Sequence, residues 1–130
     1  MLKLIIQEME ETLVEVRSHA AKCIAEKKAL SRTKSQLEHN VQTWLSKAET
    51  ALAKSREDLA KQALVEKSKS EVALSSLTAE SDSLEQQLTL ITDDIAKLQQ
   101  KLSEAKSKQS EFVKREQVGS SRLKAKKVYH

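Results

Sequence analysis

The 130-residue sequence contains no proline and a single glycine, Gly119. Proline breaks helix interiors, and glycine weakens them by about 1 kcal/mol. Almost nothing in this chain therefore interrupts a helix. Aromatics are nearly absent too, with one Phe, one Trp and one Tyr. Such side chains normally supply a large share of buried area, so a thick core is excluded and an enclosed active site has little to be built from. The lone Cys23 forbids an internal disulfide, which fits a reducing compartment. No apolar run approaches the roughly 20 residues of a membrane span. The opening MLKLIIQEME is not a signal peptide, because its apolar stretch is short and acids follow at once.

What is present is Ala, Leu, Lys, Glu, Gln and Ser, with 32% of residues charged. That is the profile of long exposed helices. The net charge of +4 is unevenly placed. Residues 1–53 hold eight basic and seven acidic side chains, residues 54–117 eleven and twelve, and residues 118–130 four and none. The body is balanced, and the excess lies in the tail GSSRLKAKKVYH, a solvated end with at most weak, salt-sensitive attraction for acidic partners.

Two apolar series run along the chain. The first is Ile6, Met9, Leu13, Val16, Ala20, Cys23, Lys27, Leu30, Lys34, Leu37, Val41, Trp44, Ala48 and Ala51. This 3–4 alternation is a coiled-coil seam, broken only by the two lysines. The second is Ala63, Lys67, Ser70, Leu74, Leu77, Ser81, Leu84, Leu88, Ile91, Ile95, Leu98, Leu102, Ala105, Gln109 and Phe112, strongest from Leu84 to Leu102.

Between them the phase fails. The first series extrapolates onto Ser55, Asp58 and Gln62, all polar. Lys54, Ser55, Arg56, Glu57 and Asp58 carry helix-boundary signals: a cation where one helix would end, Ser55 as an N-cap with Asp58 three residues on, and acids in a first turn. Folding the chain near residue 55 sets residues 6–23 against 87–104, strongly apolar on both sides. It sets Lys27 and Lys34 against a polar stretch, where Glu80 or Glu85 can reach the buried cation and its ammonium can snorkel outward. The expected fold is all-α, a long two-helix antiparallel coiled-coil hairpin with its turn near residues 54–57. Residues 1–53 form the first helix, 58–118 the second, and 119–130 a basic extension, helical or frayed. Each arm would span on the order of 75 Å. Residues beyond about 109 have no facing partner, and Met1 starts inside the pattern, so the chain reads as the central piece of a longer protein.

One continuous helix in a parallel dimer is the competing fold. It would place Lys27 against Lys27 and Lys34 against Lys34, which the hairpin avoids. It would also bring two Cys23 thiols together.

Catalytic chemistry finds no support. Glu15, His19 and Cys23 share a helix face, but a structural zinc site wants four converging ligands, and Cys23 reads as a small seam residue. No nucleophile stands beside a base, and no phosphate-cradling glycine loop exists. The expectation is no enzyme, no metal and no cofactor. Arg17 lies beside the seam opposite Asp93 and Asp94, as an exposed ion pair between helices or a pair between subunits of an assembly.

The run IIQEMEETLVEVRSHAA at 5–21 resembles the phage shock protein A family, which includes the vesicle-inducing protein in plastids. The likeness continues through AEKKAL at 25–30, Trp44 with KAETAL at 47–52, and SREDLAKQALVEK at 55–67. It is looser over LEQQL at 84–88 and AKLQQKLSEAKSKQ at 96–109, and the segment 118–130 departs from it. The resemblance implies a helical hairpin turning at the REDLA block, in a bacterial protein, cytoplasmic and peripheral to the inner membrane. It implies binding and inhibition of a AAA+ transcription activator of the envelope-stress operon. It also implies membrane-stabilising homo-oligomers related to ESCRT-III. In that family, inner-membrane phospholipid is contacted mainly through an N-terminal amphipathic helix that lies outside this sequence. No direct DNA binding is implied. Two other functions compete. An RNA-binding hairpin like the arm of seryl-tRNA synthetase would want a basic stripe, which the balanced arms do not offer. A plain structural spacer would have no heterologous partner.

Overall fold

The computed structural model describes the backbone of residues 1–129 and the side chains of residues 1–119. The basic tail's side chains from Ser120 onward, and His130 altogether, lie outside the described residues. Two helices make up the fold: α1, Leu2–Ala53, and α2, Glu57–Tyr129. They pack together as an all-α helical hairpin, with no strand among the described residues. Good helix formers fill both. The threonines at 12, 33, 78 and 89 are accommodated by donating their hydroxyls to the carbonyl four residues back, at 2.9–3.2 Å. Helix α2 runs through Gly119, whose φ is not positive and whose missing side chain faces open space.

The packing divides into two units. In one, residues 1–20 pack against the chain from residue 91 onward. Ile6, Leu13, Leu102 and Ala105 are buried there, with Leu2, Met9, Ile95 and Leu98 against them. Burial of each such Leu or Ile is worth about 1.5–3 kcal/mol. Glu10 and Lys106 close the edge at 3.3 Å. Further along α2, Phe112, Val113 and Val118 stand exposed.

In the other, residues 21–90, the buried side chains are small except at one end: Cys23, Ala48, Ala60, Ala63 and Leu84. From Lys27 to Trp44 on α1, and from Lys67 to Ser81 on α2, the seam positions are only half-buried. The Lys27 ammonium reaches Glu85 across the seam at 3.1 Å. Lys67 reaches Glu71 on its own helix at 3.1 Å.

The connection is three residues, 54–56, closed by hydrogen bonds. The Ser55 N–H donates to the Leu52 carbonyl at 3.0 Å, and the Arg56 N–H to the Ala51 carbonyl at 2.8 Å. This nested pair is a Schellman ending, which requires a left-handed residue at its apex. Ser55 supplies it with φ 58°. Ser55 is thus not the N-cap of α2, contrary to the sequence reading. Spent on closing α1, it leaves the capping position to Arg56, whose carbonyl accepts the Ala60 N–H at 3.1 Å. Helix α2 therefore starts at Glu57, so Glu57 belongs to the helix rather than to the turn.

Candidate partner-binding groove

Within residues 21–90, the tight turn brings the last three turns of α1 beside the first three of α2. An open groove of about 1050 Å³ lies along them. Trp44, Ala51, Leu59 and Val65 supply its apolar lining; Lys47, Lys54, Arg56 and Lys61 supply four cations, against the single acid Glu66. The Lys47 ammonium sits 4.5 Å from the centre of the Trp44 ring. That cation–π contact fixes a large apolar face at the groove wall. Trp44 thus takes part in the seam while one side of it meets solvent.

The rim at the turn is ordered by charge. Arg56 Nε and Nη2 donate to Asp58 Oδ1 and Oδ2, both at 3.3 Å. The guanidinium holds the Asp58 carboxyl below its usual range, aided by the Leu59 and Asp58 backbone N–H groups. Those N–H groups are free because they lie in the first turn of α2. Glu66 is engaged by Lys69 at 3.2 Å and Arg56 by Asp58, so the positive balance of the groove comes from Lys47, Lys54 and Lys61. An apolar floor with basic edges suits an acidic amphipathic segment, above all a helix laid along it.

The remaining sequence-predicted residues lie elsewhere. Arg17 borders a shallow depression of about 560 Å³ with Leu13, Gln99, Ser103 and Lys106. Among the described residues, Arg17, Asp93 and Asp94 form no ion pair. Cys23 is buried, while Glu15 and His19 are exposed. The described residues hold no cluster of three potential metal ligands and no helix long and apolar enough to cross a membrane. Sequence reasoning placed Lys54 and Arg56 at the turn but missed the groove that they share with Lys47 and Lys61. Lys47 and Lys61 belong to different helices, and only the Trp44–Lys47 spacing of three was legible beforehand.

The whole chain, residues 1–130, matches the PspA/IM30 family. The chain belongs to that family. It is similar to the membrane-associated protein Vipp1 of Nostoc punctiforme, 33% identical over 108 residues covering 83% of this chain and 42% of the relative. It is also similar to the membrane-associated protein Vipp1 of a Synechocystis species, 32% identical over 106 residues covering 79% and 39%. This PspA/IM30 chain thus spans about two fifths of the length of the curated relatives it matches.

Proposed function

We propose that this hairpin is a regulatory and scaffold module of the bacterial envelope-stress response. It docks on a AAA+ transcription activator, inhibits it, and packs into oligomers that stabilise membrane. The observation that supports the docking half is the groove beside Trp44. It is lined by apolar side chains together with four cations and one acid, a composition suited to an acidic partner. Its energy would come from a buried aromatic anchor with a charged rim. Membrane association of the full-length protein is supported by the family and by its membrane-associated relatives. It would place the protein in the cytoplasm, at the inner membrane surface. For Arg17 the proposal is a pair between subunits.

The test is the ATPase activity of a phage-shock-type AAA+ activator domain, titrated with this chain. Saturable inhibition is expected. No inhibition by a chain of confirmed helicity would remove the regulatory half of the proposal. The structural-spacer reading would then stand in its place.

A further inference from the structure

Within residues 21–90, every residue between Cys23 and Ala48 on α1, and between Ala63 and Leu84 on α2, is half-buried or exposed. The stretch between these buried positions runs about 30 Å along the helices. Both of its flanks are shut. On the turn side Ala48, Ala60 and Ala63 are 2–5% exposed, small side chains that let two helices approach closely. On the other side Cys23 and Leu84 are 4% and 9% exposed.

The seam residues explain the gap. Lys27, Lys34, Lys67, Ser70 and Ser81 take positions that a closed seam gives to apolar side chains. A lysine there leads its ammonium out to water, and a serine adds almost no apolar area. Leu30, Leu37, Val41, Leu74 and Leu77, set among them, are therefore only half-buried. Polar contacts across the helices do not replace the missing burial. Among the described residues, Lys27–Glu85 is the one ion pair that crosses this seam, and it lies at the edge of the stretch. Lys67 turns to Glu71 on its own helix. Lys34 joins no ion pair among the described residues.

We infer that residues 27–44 of α1 and 67–81 of α2 form a joint that opens as a unit while both flanks stay closed. Few buried apolar contacts and a solvated seam make a segment of low local stability. Because it is pinned at both ends, it cannot fray, and its opening is a single event. Once parted, helices of this length are marginal in water, so their backbone hydrogen bonds open as well. The groove beside Trp44 keeps its base, because Ala63, which lines it, belongs to the closed turn side. The joint thus frees the groove-bearing end of this unit from the Cys23–Leu84 end without melting either. A partner can hold the turn while the rest of the unit shifts.

The experiment is amide hydrogen exchange of the 130-residue chain, read residue by residue by NMR at several low concentrations of denaturant. After correction for intrinsic rates, amides 30–41 and 70–81 are expected to exchange roughly tenfold or more faster than those of Cys23, Ala48, Ala63 and Leu84. They should also share one shallow denaturant dependence, against a steep one at the flanks, since opening the joint exposes less surface than global unfolding. Two variants separate the joint from the whole. Lys34→Leu supplies a missing seam contact and should slow the middle amides by roughly tenfold. Leu84→Ala weakens a flank and should speed the Cys23 and Leu84 amides by roughly tenfold or more while leaving the middle ones unchanged. One common rate and slope for middle and flanks would overturn the joint, as would a rate that falls steadily from one end of the stretch to the other. Middle amides that speed up together with the flanks in Leu84→Ala would mean that only global unfolding exposes them. Middle amides left as fast in Lys34→Leu would show that seam polarity is not the cause.

Discussion

The Lys27 ammonium and the Glu85 carboxylate meet at 3.1 Å across the hairpin seam, with their side chains 37% and 62% exposed. A cation at a seam position is held there by a partner that stays largely in water. The pair therefore sets register more than it adds stability, since exposed pairs are worth at most about 1 kcal/mol. Replacing Lys27 by Leu should raise the thermal midpoint by a few degrees, as a half-buried leucine contributes about 1 kcal/mol and Glu85 remains solvated. Glu85→Lys should lower it slightly, and more so at low salt. Thermal melts followed by circular dichroism at two ionic strengths check both directions.

Ser55 makes the turn possible at a cost. A residue with a side chain loses roughly 1 kcal/mol in the left-handed region. Ser55→Gly removes that strain but adds freedom to the unfolded chain, so the net gain should be about 0.5 kcal/mol. Ser55→Val, branched where φ is 58°, should lose about 1–2 kcal/mol. Denaturant midpoints rank the three. A valine variant as stable as the parent would show that the turn does not depend on the Schellman ending.

Asp58 predicts a pH effect localised at the turn. Its folded carboxyl titrates below the ordinary aspartate range, chiefly because of Arg56. A depressed folded value means that the group stabilises the fold above its unfolded value. That contribution disappears as pH falls through the folded one. Arg56→Ala should move the Asp58 titration back toward normal and flatten the acid dependence of amide exchange at residues 54–58. A carbon-detected NMR titration of the Asp58 carboxyl measures it directly, and an unchanged titration in the variant would reject the assignment to Arg56.

The proposed pairing of Arg17 between subunits separates folding from assembly. It forms no ion pair among the described residues of its own chain. Arg17→Glu should leave stability within about 0.5 kcal/mol while weakening self-association. Rescue of that variant by Asp94→Arg within one chain, seen as restored thermal stability, would instead mark an intrachain pair.

The hairpin was legible from sequence for a simple reason. Seam periodicity survives from Ile6 to Ala51, and its failure at Ser55, Asp58 and Gln62 marks a change of helix. The positions of those series from Ile6 to Gln109 are buried or half-buried. Phe112 is not, because no facing helix reaches it. The role of Ser55 was misread because serine is a far commoner N-cap than left-handed residue, and only hydrogen bonding across the turn tells them apart. The groove was invisible for another reason. Periodicity reports which residues face the partner helix, whereas Lys47, Lys54, Arg56 and Lys61 come together through the turn's geometry.

The groove's role can be read with a single chromophore. Trp44 is the only tryptophan in the chain, and it lines the groove. Titrating the chain with a tryptophan-free variant of the activator's AAA+ domain, while following both Trp44 emission and ATPase rate, tests the central claim most directly. A saturable blue shift whose midpoint coincides with inhibition is the predicted result. Full inhibition with Trp44 emission unchanged would contradict it and put the docking surface elsewhere on the hairpin.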